Sequence, residues 1–393
     1  MKILILSFYY PPDLCAGSFR TGELVSALNS ERKEDTSIEV ITTTPNRYSS
    51  YRPDYFPEFE GDSFRVHRVD LPNHKSGMKD QAVAFLHYAK TVLRLTHRKN
   101  YDLIFATSSR LMTGSLGALI SKKCGSRLHL DIRDIFTDTI IDVVQHKFLI
   151  KSILPVLRFL EAWTYRSADE INIVSKGFVN HVSKISPRSF ITTFTNGIDK
   201  EFLVRDFSHK FSSQKTLITY AGNFGESQGL QYIIPSVAAA IQEFAELRLI
   251  GDGGKKSELI AAIEDAKVNN VELLDPVSRE LLLSFYADTD ILFFCLNDRD
   301  AFLKVLPSKL FEYAATGKPI LAGVAGYAAE FIKENVSGCE IFPPGNVDAM
   351  IDKLRLLMVG PKHYERAEFK EKFSREKIMH NYALQLLNKR KTY

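Results

Sequence analysis

Cysteine is scarce in this chain of 393 residues, and the four present (Cys15, Cys124, Cys295, Cys339) stand far apart. Neither the paired spacing of a zinc site nor the density of a disulfide framework is there, so small apolar roles in a reducing compartment are expected. No stretch approaches the ~20 apolar residues of a membrane-spanning helix. The opening Met1–Ser7 run is too short for a signal peptide and meets Tyr9-Tyr10-Pro11-Pro12 at once, which predicts a first buried strand and a cytoplasmic protein. Charge of one sign is also lacking: 51 Lys and Arg against 47 Asp and Glu leave a formal net charge of +4, so nucleic acid is not expected as a partner. There is no Gly-x-Ser-x-Gly elbow, no His-Glu-x-x-His and no phosphate loop ending Gly-Lys-Ser/Thr, the usual marks of a covalent hydrolase, a zinc protease and a nucleotide triphosphatase. The single tryptophan, Trp163, lies in an amphipathic stretch and is read as core.

What the chain does have is alternation. Short apolar runs (Ile3–Ser7, Ile38–Thr43, Phe64–Arg68, Asp102–Thr107, Leu128–Asp131, Glu170–Val174) are separated by helical patterns, which predicts a parallel sheet covered on both faces. Asp199–Lys215 is polar and irregular, as a connection between domains would be. A second alternation starts at Thr216–Ala221 and continues through Leu247–Ile250, Val271–Leu274, Ile291–Cys295, Pro319–Gly323 and Cys339–Phe342. Two charged amphipathic helices follow from Tyr364. The expected division is therefore residues 1–200, residues 211–365, and terminal helices over 366–393 that return toward the first domain. Doubly wound sheets bind ligands outside the carboxyl ends of their strands, so those ends are where function is sought.

Leu306-Pro307-Ser308-Lys309-Leu310-Phe311-Glu312 followed by Tyr313–Pro319 is the most informative segment. Pro307 suits a first helical turn and Gly317 a C′ position, framing a helix of about two turns. Free backbone N–H groups, the Ser308 hydroxyl and the Lys309 ammonium at its start suit a phosphate. Glu312, one turn on, suits sugar hydroxyls. An ordinary capped helix accounts for the same residues.

Other strand ends carry further candidates. Tyr9–Ser18 forms a small-residue loop ahead of a helix starting near Phe19, with Arg20 as an anion contact. Arg133 and Asp134, at the end of the Leu128 strand, suit a phosphate and a hydroxyl, while His129 inside that strand is read as a hydrogen-bonded core histidine. Tyr220–Leu230 is a Gly-rich loop with Gly222 and with Asn223 and Gln228 as uncharged donors. Gly251-Asp252-Gly253-Gly254 looks like a dinucleotide fingerprint with Asp275 as its acidic partner, but Lys256 takes the place of the third glycine, which argues against NAD.

Together, Tyr9–Pro12, Arg133-Asp134, Asn196-Gly197-Ile198-Asp199, Ala221–Leu230, Gly251-Asp252-Gly253 and above all Leu306–Pro319 resemble the family 4 glycosyltransferases. The branch resembled includes bacterial L-fucosamine and N-acetylhexosamine transferases of O-antigen and capsule synthesis. The resemblance spans nearly the whole chain. It implies an α/β protein of the GT-B fold, two Rossmann-like doubly wound domains facing across a cleft, with a nucleotide-sugar donor held by the second. It implies retention of anomeric configuration, no required metal or other cofactor, and a UDP-linked donor. Carried over by position, Glu312 holds the ribose, backbone N–H groups of Leu306, Pro307 (through its flanking amides) and Ser308 serve diphosphate and sugar, and Val277 meets the base through its backbone. Gly17 brings the first domain's loop up to the phosphates. Two positions depart from the family pattern. Lys304 stands where many members carry a first glutamate, and Asn223 and Gln228 stand where many carry Arg and Lys. Lys309, Arg133 and Arg299 are the cations left to neutralise the departing diphosphate, with Asp134 beside them.

The acceptor expected is a saccharide or a lipid-linked saccharide. Residues 146–166 mix Lys147, Lys151 and Arg158 with Phe148, Leu149, Ile150, Leu154, Leu157 and Phe159, a pattern that suits peripheral contact with the inner face of an anionic membrane and equally a helix half-buried on the sheet. A nucleotide-sugar epimerase on the same architecture and a non-catalytic nucleotide-sugar-binding homologue remain as alternatives.

Overall fold

In the computed structural model the described residues are 1–46, 61, 63–72, 78–108, 111–143, 147–208 and 215–388. The chain divides into two compact units, Met1–Asn196 with Arg375–Tyr393, and Gly197–Ser374.

The first unit is built on a parallel sheet of β1 (Lys2–Leu6), β2 (Ser37–Thr43), β3 (Phe64–Val69), β4 (Leu103–Thr107), β5 (Arg127–Ile132), β6 (Glu170–Ile173) and β7 (Phe190–Thr192), in the order β3-β2-β1-β4-β5-β6-β7. Helices cover it, so central strands have no polar face: all five residues of β4 are buried. Full burial of each such side chain contributes roughly 1.5–3 kcal/mol. The Arg375–Leu387 helix closes this unit, packing on the Ala16–Glu31 helix and sending Met379, Tyr382 and Leu386 into the core with Ile3, Leu24 and Phe105.

In the second unit β8 (Thr216–Asn223), β9 (Ala245–Asp252), β10 (Val271–Leu274), β11 (Ile291–Cys295), β12 (Ile320–Gly323) and β13 (Cys339–Phe342) run parallel in the order β10-β9-β8-β11-β12-β13. Strand order reverses between β8 and β11. The crevice at their carboxyl ends is where a doubly wound sheet offers backbone amides and helix starts to a ligand. The elements arriving there are Gly222 and Asn223 from β8 and, after β11, the Lys309–Ala315 helix.

Three expectations need correction. The Asp199–Lys215 segment is not a bare connection: up to residue 208 it belongs to the second unit, carries a helix at Lys200–Val204 and buries Phe202 and Phe207, the aromatic pair that anchors it. The terminal helices do not both join the first unit, because Ala367–Lys372 stays with the second through Phe369, whose ring lies 5.9 Å from that of Phe311. Trp163 is only half-buried, with the Lys122 ammonium 5.0 Å from its ring centroid. Among the described residues no helix is long and apolar enough to cross a membrane.

Candidate active site

The site of the second unit grows from the Lys309–Ala315 helix. Leu310, Phe311, Tyr313 and Ala314 are buried and hold it in the core, which turns Lys309 and Glu312 to the half-buried side. Leu306 is buried ahead of it. Pro307 lies before the helix rather than in its first turn: its carbonyl accepts from Leu310 N–H at 3.2 Å, and Ser308 is the N-cap. The Ser308 hydroxyl makes no capping bond. Thr316 is the C-cap and Gly317 follows at φ +76°, the C′ glycine expected. Arg366 secures that end, donating to Ala314 O at 3.1 Å and Lys318 O at 3.0 Å.

Lys309 reaches back across the sheet. Its ammonium lies 5.4 Å from the centroid of the Tyr220 ring and against Gly222, where a Cβ would overlap Nζ and Cε. Gly222 has φ +151°, a conformation that side-chain-bearing residues rarely adopt, so glycine there serves both the backbone and the lysine. The Tyr220 hydroxyl donates to Asn223 O at 2.7 Å, and the Tyr313 hydroxyl accepts from Ala221 N–H at 3.1 Å, tying helix and strand end together. Asn223 Nδ2 donates to Gln228 Oε1 at 3.1 Å. The two uncharged residues that stand in cationic positions are thus bonded to each other; Lys309 brings a positive charge to Gly222 at the loop's start, and Lys255 pairs with Glu226 further along it at 3.6 Å. Burial pushes the Cys295 thiol beneath up to about 12, with Lys309 opposing.

Glu312 Oε1 accepts from Arg279 Nη1 at 3.0 Å. The other terminal nitrogen of Arg279 donates to Asp199 Oδ2 at 2.5 Å, and its guanidinium lies 4.6 Å from the Phe202 ring centroid. Burial alone would lower the pKa of Arg279, but the Glu312 and Asp199 carboxylates outweigh it and hold the group above its ordinary value. Nothing in the sequence singles out Arg279; its only signal is its place at the start of the Arg279–Ala287 helix, two residues after Val277, which is half-buried in the loop leaving β10. Lys304 ends a 3₁₀ turn at Asp300–Lys304, and Arg299 is exposed ahead of it. Lys256 and Asp275, the residues of the rejected dinucleotide fingerprint, form an ion pair with each other.

The remaining candidates belong to the first unit. Gly17 is not in a loop: the helix starts at Ala16, so Gly17 lies in its first turn, and a Cβ there would overlap the Arg133 guanidinium. Gly17 and Arg133 are therefore brought together, and the glycine makes room for the arginine. Arg133 Nε is buried with no hydrogen-bond partner among the described residues; burial lowers its pKa, and Asp134, exposed next to it, opposes that shift. Arg20 is not an anion contact. It is fully buried, donating to both Asp131 oxygens at 3.0 and 2.9 Å and to the carbonyls of Thr195 and Phe194. His129 is a core histidine bonded to the Tyr382 hydroxyl at 2.7 Å.

In the Lys147–Arg166 helix, Leu154, Leu157 and Leu160 are half-buried while Ile153, Val156 and Phe159 point outward at 42%, 65% and 72% exposure, with Arg158 beside them. Half-burial, here against neighbouring helices, thus explains only one face of the pattern. His146 and the side chains of Lys147, Phe148, Leu149 and Lys151 lie outside the described residues.

Known proteins resemble this chain throughout. Residues 204–372 match the family described as glycosyl transferases group 1, and residues 18–197 match the glycosyl transferase 4-like domain. The putative colanic acid biosynthesis glycosyl transferase WcaI of Escherichia coli (strain K12) is 23% identical, covering 92% of this chain and 93% of its own. Among solved structures, Anabaena HepE in complex with UDP-glucose has a TM-score of 0.63 at 15% identity, over 99% of this chain and 96% of that one. WaaG, a glycosyltransferase involved in lipopolysaccharide biosynthesis, has a TM-score of 0.61 at 13% identity, over 97% and 95%. At such identities the structures speak for the fold, and the two family matches, one for each unit, speak for the lineage: the chain belongs to the family 4-type glycosyltransferases of the GT-B fold.

Proposed function

We propose that this protein is a retaining glycosyltransferase that takes a sugar from a nucleoside-diphosphate sugar, UDP-linked, and adds it to a saccharide or lipid-linked saccharide in surface polysaccharide synthesis. The observation that carries the reading is the Lys309 ammonium seated on Gly222 at the end of β8, with Glu312 one turn further along the same helix. A diphosphate at the lysine leaves the ribose within reach of the carboxylate. UDP-glucose bound to HepE and the polysaccharide pathways named for WcaI and WaaG support the donor and product classes.

In the reaction, the bond between the sugar's anomeric carbon and the diphosphate oxygen breaks while the acceptor oxygen bonds to that carbon from the same face. The leaving phosphate takes both bonding electrons and then the acceptor's proton. No protein nucleophile and no metal are needed in this scheme. Lys309 stabilises the growing negative charge, a role worth ~3 kcal/mol for one well-placed donor. Of the first unit's residues, Arg133 is proposed for an anion and Asp134 for a hydroxyl. Gly222, Asn223, Gln228, Leu306, Pro307 and Ser308 supply the backbone and amide surround, and Val277 the base contact.

A peripheral site on the inner face of the cytoplasmic membrane suits a lipid-linked acceptor, and the outward Ile153, Val156 and Phe159 with Arg158 support it. The deciding experiment for the function is turnover of UDP-sugars by the purified protein and its Lys309→Ala and Glu312→Ala variants. Parental kinetics in both variants would remove the site assignment.

A further inference from the structure

Asn196–Asp199 is one of the motifs on which the family resemblance rests, yet Asp199 has no part in the chemistry above. Its carboxylate binds Arg279, and Arg279 binds Glu312. The guanidinium is fixed on three sides: Asp199 Oδ2 at 2.5 Å, Glu312 Oε1 at 3.0 Å and the Phe202 ring at 4.6 Å. Phe202 is itself fully buried, with its ring 6.0 Å from that of Tyr286, which meets Tyr313 on the site helix edge-to-face at 5.3 Å. The Asp199 and Glu312 side chains are only 13% and 16% exposed, so the Arg279 cation between them offsets much of their mutual repulsion.

A carboxylate that grips two vicinal hydroxyls must be ionised and held in one orientation, because a loose rotamer loses side-chain entropy each time it binds. The 7-residue helix that carries Glu312 sets its backbone but does not hold the outer torsions of its side chain. Arg279 does this from outside the helix. It also opens the helix behind the Val277 loop, so the ribose and base contacts of the donor depend on one anchored residue.

From this we infer that Arg279 is the positioning residue of the donor ribose site, with Asp199 and Phe202 as its mount. The inference deepens the donor reading above and rests on it. Arg279 acts through Glu312 and touches no reacting atom.

The test compares binding of UDP and of 2′,3′-dideoxy-UDP by calorimetry to the full-length protein. The parent is expected to favour UDP by roughly ten- to hundredfold, the range of a charge-assisted hydrogen-bond pair. Arg279→Met is expected to weaken UDP while leaving the dideoxy compound nearly unchanged, so that discrimination shrinks to about threefold or less. Asp199→Asn is expected to fall between, and Arg279→Lys to restore part of the ratio. A purely structural role would weaken both ligands alike. A folded Arg279→Met that keeps full discrimination, or binds UDP more tightly because Arg279 had competed with the ribose, overturns the inference. If Arg279→Met does not fold, Asp199→Asn and Arg279→Lys decide by the same ratio. Loss of discrimination in Glu312→Ala marks the donor reading as sound; a parent without discrimination, or without UDP binding, refutes that reading and this role with it.

Discussion

Replacing Gly222 by alanine perturbs the catalytic charge without touching the charged residue. The added methyl would overlap Lys309 Nζ and Cε, and because this is the far end of a flexible side chain, the lysine shifts rather than the sheet. Two costs follow. Alanine at φ +151° stores about 1–3 kcal/mol of backbone strain. For a domain of this size that corresponds to a fall in Tm of roughly 3–10 °C. Displacing the ammonium from its place over Tyr220 and against the strand end removes a preorganised donor, worth ~3 kcal/mol, or about a hundredfold in kcat. The assay is UDP release from a UDP-sugar, with calorimetry to record ligand affinity and a melting curve to record folding. Gly222→Ala is expected to lower kcat nearly as far as Lys309→Ala does. The double variant is expected to be no worse than the worse single, since both remove the same charge. A folded Gly222→Ala within about twofold of the parental kcat would refute the placement of Lys309, as would losses that multiply in the double variant, because independent sites add in free energy.

Glu312→Ala should raise the KM for the donor by at least about tenfold with a smaller change in kcat, whereas Lys309→Ala should lower kcat with KM little moved, a split read directly from initial rates. Asp131→Asn leaves Arg20 charged and buried without its ion-pair partner, so a loss of about 3–5 kcal/mol is expected by chemical denaturation at pH 7. Burial works to raise the Asp131 pKa, but Arg20 and Asn172 hold it below the ordinary value; its contribution is therefore present above about pH 4 and lost as pH falls through the lower folded value, and the variant's acid limb should lack that component. Phe159→Glu should abolish flotation with anionic phosphatidylglycerol vesicles while leaving Tm unchanged, and a parent that fails to float would count against the membrane surface.

Sequence pattern and structure part company at identifiable residues. Strand positions were legible because buried parallel strands are continuous apolar runs, and β4 or β11 cannot be much else. The Leu306–Pro319 frame was legible because Pro and Gly act locally. Side chains that meet across the fold were not. Arg20 and Arg133 are both arginines near strand ends of one sheet. One is spent on a buried carboxylate 111 positions away, and the other keeps a buried nitrogen without a hydrogen-bond partner among the described residues. Gly17 looked like a loop residue because small residues mark loops, but here its smallness accommodates a guanidinium inside a helix.

Local chemistry along the chain was thus enough for two doubly wound α/β halves, for the helix that presents Lys309 and Glu312, and for a lineage recognisable from short motifs. Folding decided which charge goes where: that Lys309 comes to rest on Gly222 beside a loop bare of cations, and that Glu312 is held by Arg279 from Asp199, 80 positions before it. Periodicity and capping are set by neighbours a few residues apart, while a salt bridge is set by distance in space, which a parallel sheet with long crossovers leaves free of distance along the chain.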